Sequence, residues 1–140
     1  MSHSASGELS AATVIGLIES GAYPRDVVAT IARGFLPLDQ HDLIAVLAFL
    51  AGSDDGEIAA LARASLDDTP ARVLLDLAAG DSLDPAHLRR LMNVHDDSMV
   101  LEALVRNPRV PDEAVAELAR RADSHVQEVI VINQARILRT

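Results

Sequence analysis

Gly21, Gly34, Gly52 and Gly80 each close an apolar segment, and Asp39, Thr69-Pro70, Asp84-Pro85 and Pro111-Asp112 each open one. This alternation of stops and starts constrains the fold more than any other feature of the chain. A glycine just past an apolar run suits a helix end that needs φ > 0. A capping Asp, or a proline at the first helical position, suits a helix beginning. Between these marks the spacing predicts nine short helices, over 8–20, 24–33, 39–51, 55–65, 69–79, 84–93, 97–106, 111–122 and 124–138. Leu43, Val46, Leu47 and Leu50 form an i, i+3, i+4, i+7 stripe, and Val115, Leu118 and Ala119 form a shorter one. From Leu43 to Ala51 the chain is apolar nearly all round, so neighbours must cover it on several sides. No segment alternates with period two for long enough to make a strand. The expected class is all-α.

Composition points the same way. Aromatic residues are 2% of the chain, only Tyr23, Phe35 and Phe49, so the core must be built from Leu, Ile, Val and Ala. Such side chains favour close helix–helix packing over a sandwich or barrel. The chain has no Cys, which excludes disulfides, thiolate metal sites and Cys nucleophiles. All 12 basic residues are Arg, which excludes a Schiff-base or P-loop lysine. Net charge is −9, and residues 1–100 carry all of it, because acids and Arg balance over 101–140. That balance repels nucleic acid and anionic lipid, so neither is expected as a partner. The apolar run Ala11–Ile18 has no preceding Lys or Arg and follows Glu8, unlike a secretory signal. Leu43–Ala51 is far shorter than the ~20 residues of a membrane helix. A cytoplasmic location is the expectation.

The helix starts resemble one another. Leu38-Asp39-Gln40-His41-Asp42-Leu43, Leu66-Asp67-Asp68-Thr69-Pro70-Ala71, Leu83-Asp84-Pro85-Ala86-His87-Leu88 and Val110-Pro111-Asp112-Glu113-Ala114-Val115 each run from one apolar residue to another five positions on. The leading apolar residue suits a hydrophobic staple. These starts lie 28, 17 and 27 residues apart. A period near 27 is two short helices with their turns, and the 17 marks a degenerate unit. Repetition on this scale implies a solenoid, in which each unit buries its face against its neighbours.

The stretch Val105-Arg106-Asn107-Pro108-Arg109-Val110-Pro111-Asp112-Glu113-Ala114-Val115 resembles the leucine-rich-repeat-variant family and, more loosely, HEAT repeats. Asp123-Ser124-His125-Val126 resembles the family's acidic turn, and Asn133 falls 26 residues after Asn107. In the second copy the Asn-Pro pair becomes Asn133-Gln134, and earlier repeats lack the Asn. The resemblance covers about residues 83–138. It implies a curved helical array used for binding, with no catalytic residues to carry over. The expected architecture is a right-handed α-solenoid in a single repeat domain over 1–140, with a divergent helix pair at 8–38, middle repeats at 39–82 and leucine-rich-repeat-variant-like repeats at 83–138.

Candidate sites are few. His87 and His95, with Asp96 and Asp97, are metal-ligand types, but eight residues and a helix end separate the histidines. A zinc-binding pair needs i, i+4 on one continuous face, so solvated turn residues are the expected reading. No metal, cofactor or catalytic residue is expected. The pairs Asp54-Asp55, Asp67-Asp68 and Asp96-Asp97 recur. They suit helix caps first, and second an acidic edge for a basic protein partner. Tyr23 and Arg25 form a candidate exposed contact, since both residue types are enriched at hot spots. Asn107, Pro108 and Asn133 are read as structural, the amides bonding the backbone of an adjacent turn. Segment 124–138 spreads Val126, Val129, Ile130 and Ile137 over more than one side. A terminal solenoid helix should have a polar outer face. Ile130 and Ile137 therefore predict either self-association or a longer natural chain. The functional expectation is a non-catalytic protein–protein interaction or scaffold module. A self-association module, or less favourably a HEAT-like nucleic-acid binder, is the alternative.

Overall fold

The computed structural model describes residues 10–120, and among these the chain is all-helical, with no strand. The helices are α1 (Ala11–Glu19), α2 (Arg25–Ala32), α3 (Gln40–Ala51), α4 (Gly56–Asp67), α5 (Ala71–Ala79), α6 (Pro85–Val94), α7 (Ser98–Arg106) and α8 (Asp112–Ala119). Each lies where the apolar period places one, and α4 extends two residues beyond the expected 65. The expected segment 124–138, with Ile130, Asn133 and Ile137, lies outside the described residues. No helix among those described is long and apolar enough to cross a membrane.

The helix ends show which signals acted. Asp55 accepts from the backbone N–H groups of Glu57 and Ile58, and Asp97 from those of Met99 and Val100, so both cap in the ordinary way. Ser10 does the same for α1 through Thr13. Asp39 and Asp84 stand at N-cap positions but make no side-chain cap bond. Pro85 takes the first helical position, whereas Pro70 and Pro111 fall one residue earlier, at the N-cap.

The four glycines divide into two kinds, which corrects the sequence expectation. Gly21 and Gly34 have φ of 78° and 89°. Ala22 N–H reaches Leu17 O and Gly21 N–H reaches Ile18 O; Phe35 N–H reaches Thr30 O and Gly34 N–H reaches Ile31 O. These are the paired bonds of the Schellman closure. Gly52 and Gly80 have φ of −95° and −98°, so neither supplies a left-handed residue. α3 closes instead through short bonds from Gly52 N–H to Phe49 O and from Ser53 N–H to Leu50 O. At Gly80 a Cβ would stand 3.0 Å from Asp76 O, so that glycine is there for close approach. Gly21→Ala and Gly34→Ala should each lower stability by about 1–2 kcal/mol, the left-handed penalty of an L-residue. Gly52→Ala should change it little, and chemical denaturation of the three variants checks the split.

The chain divides into two compact units, Met1–Asp68 and Thr69–Thr140. In the first, α1 packs on α3, α2 on α3 and α4, and α3 on α4. In the second, α5 packs on α7, and α6 on α7 and α8. Alternate helices therefore lie side by side in both units. The core is aliphatic, as the scarcity of aromatics requires. α3 alone buries Ile44, Ala45, Val46, Leu47, Ala48, Leu50 and Ala51. Ala32, Ala62, Ala78 and Ala114 are fully buried, and their small side chains let helix backbones approach.

Candidate functional site

In the first unit, the C-terminal end of α1, the start of α2, the end of α3 and the start of α4 surround an open cleft of about 400 Å³. Ile18, Val28, Phe49, Leu50 and Ile58 supply its apolar wall, and Arg25, Asp54 and Asp55 also line it. The chain turns between α3 and α4 at Gly52–Asp55, which sets the two adjacent carboxylates at the edge of this wall. Asp55 is held by its capping role, and Ser53 Oγ accepts from Asp55 N–H at 3.0 Å.

Arg25 is exposed and bonded on two sides. Its Nε donates to Asp55 Oδ2 at 2.7 Å and its Nη2 to Asp55 Oδ1 at 3.1 Å, a two-pronged grip. The same Nη2 donates to Glu57 Oε1 at 2.6 Å. These bonds raise the guanidinium pKa further still. Conversely the Arg25 hydrogen bond, helped by the Ile58 N–H, holds the Asp55 carboxyl down at about 2. The fold thus favours ionised Asp55. That stabilisation is present above the ordinary carboxylate range, near 4, and is lost as pH falls towards about 2. Asp55→Asn keeps a capping oxygen but loses the charge, so its stability should converge on the wild type below pH 4. A carbon-13 titration of Asp55 with a midpoint near 4 would show that the pair does not form.

Three of the sequence-nominated residues, Arg25, Asp54 and Asp55, are therefore gathered at one cleft. The others are not. Tyr23 is half-buried in the turn before α2. Asp67 ends α4 and Asp68 is its C-cap residue, at the helix end where the macrodipole disfavours an anion. Asp96 and Asp97 belong to the second unit, where Asp97 caps α7.

Asn107 is buried, 3% exposed, at the end of α7. Its Nδ2 donates to Ala78 O at 2.8 Å and to Gly80 O at 2.9 Å, while Oδ1 accepts from Arg109 N–H at 2.9 Å. The last carbonyls of a helix have no partner inside it. α5 ends without a left-handed glycine, and the Asn107 amide supplies what that closure would have. Arg109 adds a bond from Nη1 to Leu83 O at 2.6 Å. Beside this clamp an open groove of about 330 Å³ runs along α5 and α7, lined by Leu75, Met99, Glu102, Arg106 and Pro108 among others. Met99 in it is 63% exposed, and Glu102 pairs with Arg106 at 3.0 Å.

Two features escape a sequence reading. His87 is not a solvated turn residue: it lies in the first turn of α6, is 8% exposed, and its Nδ1 is 3.0 Å from Arg90 Nη1. Its i+4 spacing to buried Leu91 was the available signal. Asp39, His41 and Asp42 bring one ligand-type atom each within 4.8 Å of one another at the start of α3. Asp42 Oδ1 already accepts from Ala11 N–H at 3.1 Å, and a helix N-terminus favours anions over cations. No protein-family model, curated protein or solved structure matches the chain.

Proposed function

We propose that this chain is a non-catalytic protein-binding module, a right-handed α-solenoid of stacked helix pairs related to the leucine-rich-repeat-variant and HEAT-like arrays. The observation that carries the reading is the span of its cross-helix ties. In the first unit Ala11 to Asp42, Arg25 to Asp55 and Glu57, and Ser65 to Ala32 span 31, 30, 32 and 33 residues. In the second, Arg89 to Glu117, Asn107 to Ala78 and Gly80, and Arg109 to Leu83 span 28, 29, 27 and 26. Each span is one helix pair with its turns. Side chains that repeatedly bond the element one pair away are what neighbour-to-neighbour stacking requires. The packing of alternate helices in both units supports the same reading.

An array of this kind acts through its exposed surface, and the first unit's cleft is a formed, partly apolar surface of that kind. The excess of acids, net −9 for the chain, favours a basic protein partner. Cross-linking of the tagged chain in its native cells should retain one stoichiometric partner that an unfolded Leu104→Asp control does not. Equal recovery with the control would end this reading, as would metal-dependent hydrolysis abolished by His87→Ala with His95→Ala.

A further inference from the structure

We infer that the cleft of the first unit receives a protein segment in which an aliphatic or aromatic side chain is followed closely by Arg or Lys. This rests on the protein-binding reading above and adds the chemistry of the partner. The wall formed by Val28, Phe49 and its neighbours offers apolar surface that a covering side chain would remove from water. The cleft is open along the ends of four helices, so a protein segment can cover it by lying across.

Charge selects the occupant. Arg25 is engaged by both Asp55 and Glu57, so it has little to offer an incoming anion. Asp54, one residue from Asp55, is exposed and makes no hydrogen bond or ion pair among the described residues. Arg25 pairs with Asp55 and Glu57, and Asp54 on the cleft wall adds a third carboxylate, so this group of side chains is net negative. A neutral or acidic segment would strip water from Asp54 with nothing in return, and a cationic one compensates that loss. An Arg or Lys beside the apolar anchor reaches Asp54 while the anchor sits against Phe49.

A random peptide library displayed on phage and selected against the full chain tests this directly. The expected winners carry an apolar residue flanked by Arg or Lys, and perturb the amide resonances of Val28, Phe49 and Asp54. Asp54→Asn, a surface change that leaves the fold intact, should weaken them about threefold, the scale of an exposed charge pair. Added salt should weaken them as well. Val28→Arg, with helicity verified, should abolish binding. Winners that bind the cleft but are acidic or uncharged would overturn the charge inference and leave the cleft as a docking surface. Winners that ignore Val28→Arg, or a library that yields none, would overturn both. A sedimenting dimer dissolved by Val28→Arg would assign the cleft to a second copy, against this proposal.

Discussion

Asn107→Ala is expected to lower stability by about 3 kcal/mol, from two orphaned carbonyls and a lost turn bond at about 1–3 kcal/mol for each buried group left unsatisfied. For a chain of this size that is a thermal midpoint lowered by roughly 10 °C. The size follows from geometry. Ala78 O and Gly80 O sit at the end of α5, and the Asn107 amide is the donor that reaches both. Asn107→Asp should do no better than alanine, because a carboxylate has no N–H to give and brings a charge to a site only 3% exposed. Asn93, exposed on α6, provides the control, and its replacement by Ala should shift stability by less than about 0.5 kcal/mol. If Asn107→Ala matched Asn93→Ala, the clamp would be ornamental and the inter-repeat reading would lose its strongest tie.

The second large effect lies on α7. Leu104 is fully buried there, and its truncation to Ala should cost about 2–5 kcal/mol through lost burial and the cavity left behind. Met99 is five residues earlier on the same helix and 63% exposed. Met99→Ala should therefore stay within about 0.5 kcal/mol of the wild type. Urea denaturation of both variants reads the contrast. A Met99→Ala cost near that of Leu104→Ala would mean that Met99 belongs to the core, and that the groove along α5 and α7 is not a free surface.

Local order was legible in the residues and long-range order was not. The stripe Leu43, Val46, Leu47, Leu50 placed α3 to within a residue, because a 3.6-residue period is a property of neighbours in sequence. Capping was only half legible. Asp55 and Asp97 cap, whereas Asp39 stands instead with His41 and Asp42 and makes no cap bond. Glycine after an apolar run signalled a helix end all four times, but a left-handed residue only at Gly21 and Gly34. Freedom of φ and absence of a side chain look identical in a sequence. The cleft was the least legible feature. Arg25 and Asp55 could each be nominated as surface residues, but their pairing, and the recruitment of Glu57, depends on how α2 and α4 pack. Met99 was hidden for the opposite reason: an apolar residue on an amphipathic helix reads as core whether or not anything covers it.

Tyr23 is the lone tyrosine of a chain without tryptophan, and it belongs to the first unit. Its near-ultraviolet emission thus reports on that half of the molecule, whereas far-ultraviolet circular dichroism registers helices from both. Melting curves recorded in the two channels coincide if the halves unfold as one cooperative body and separate if they do not. The scarcity of aromatics that forced an aliphatic core also gives the protein a built-in, one-sided optical reporter.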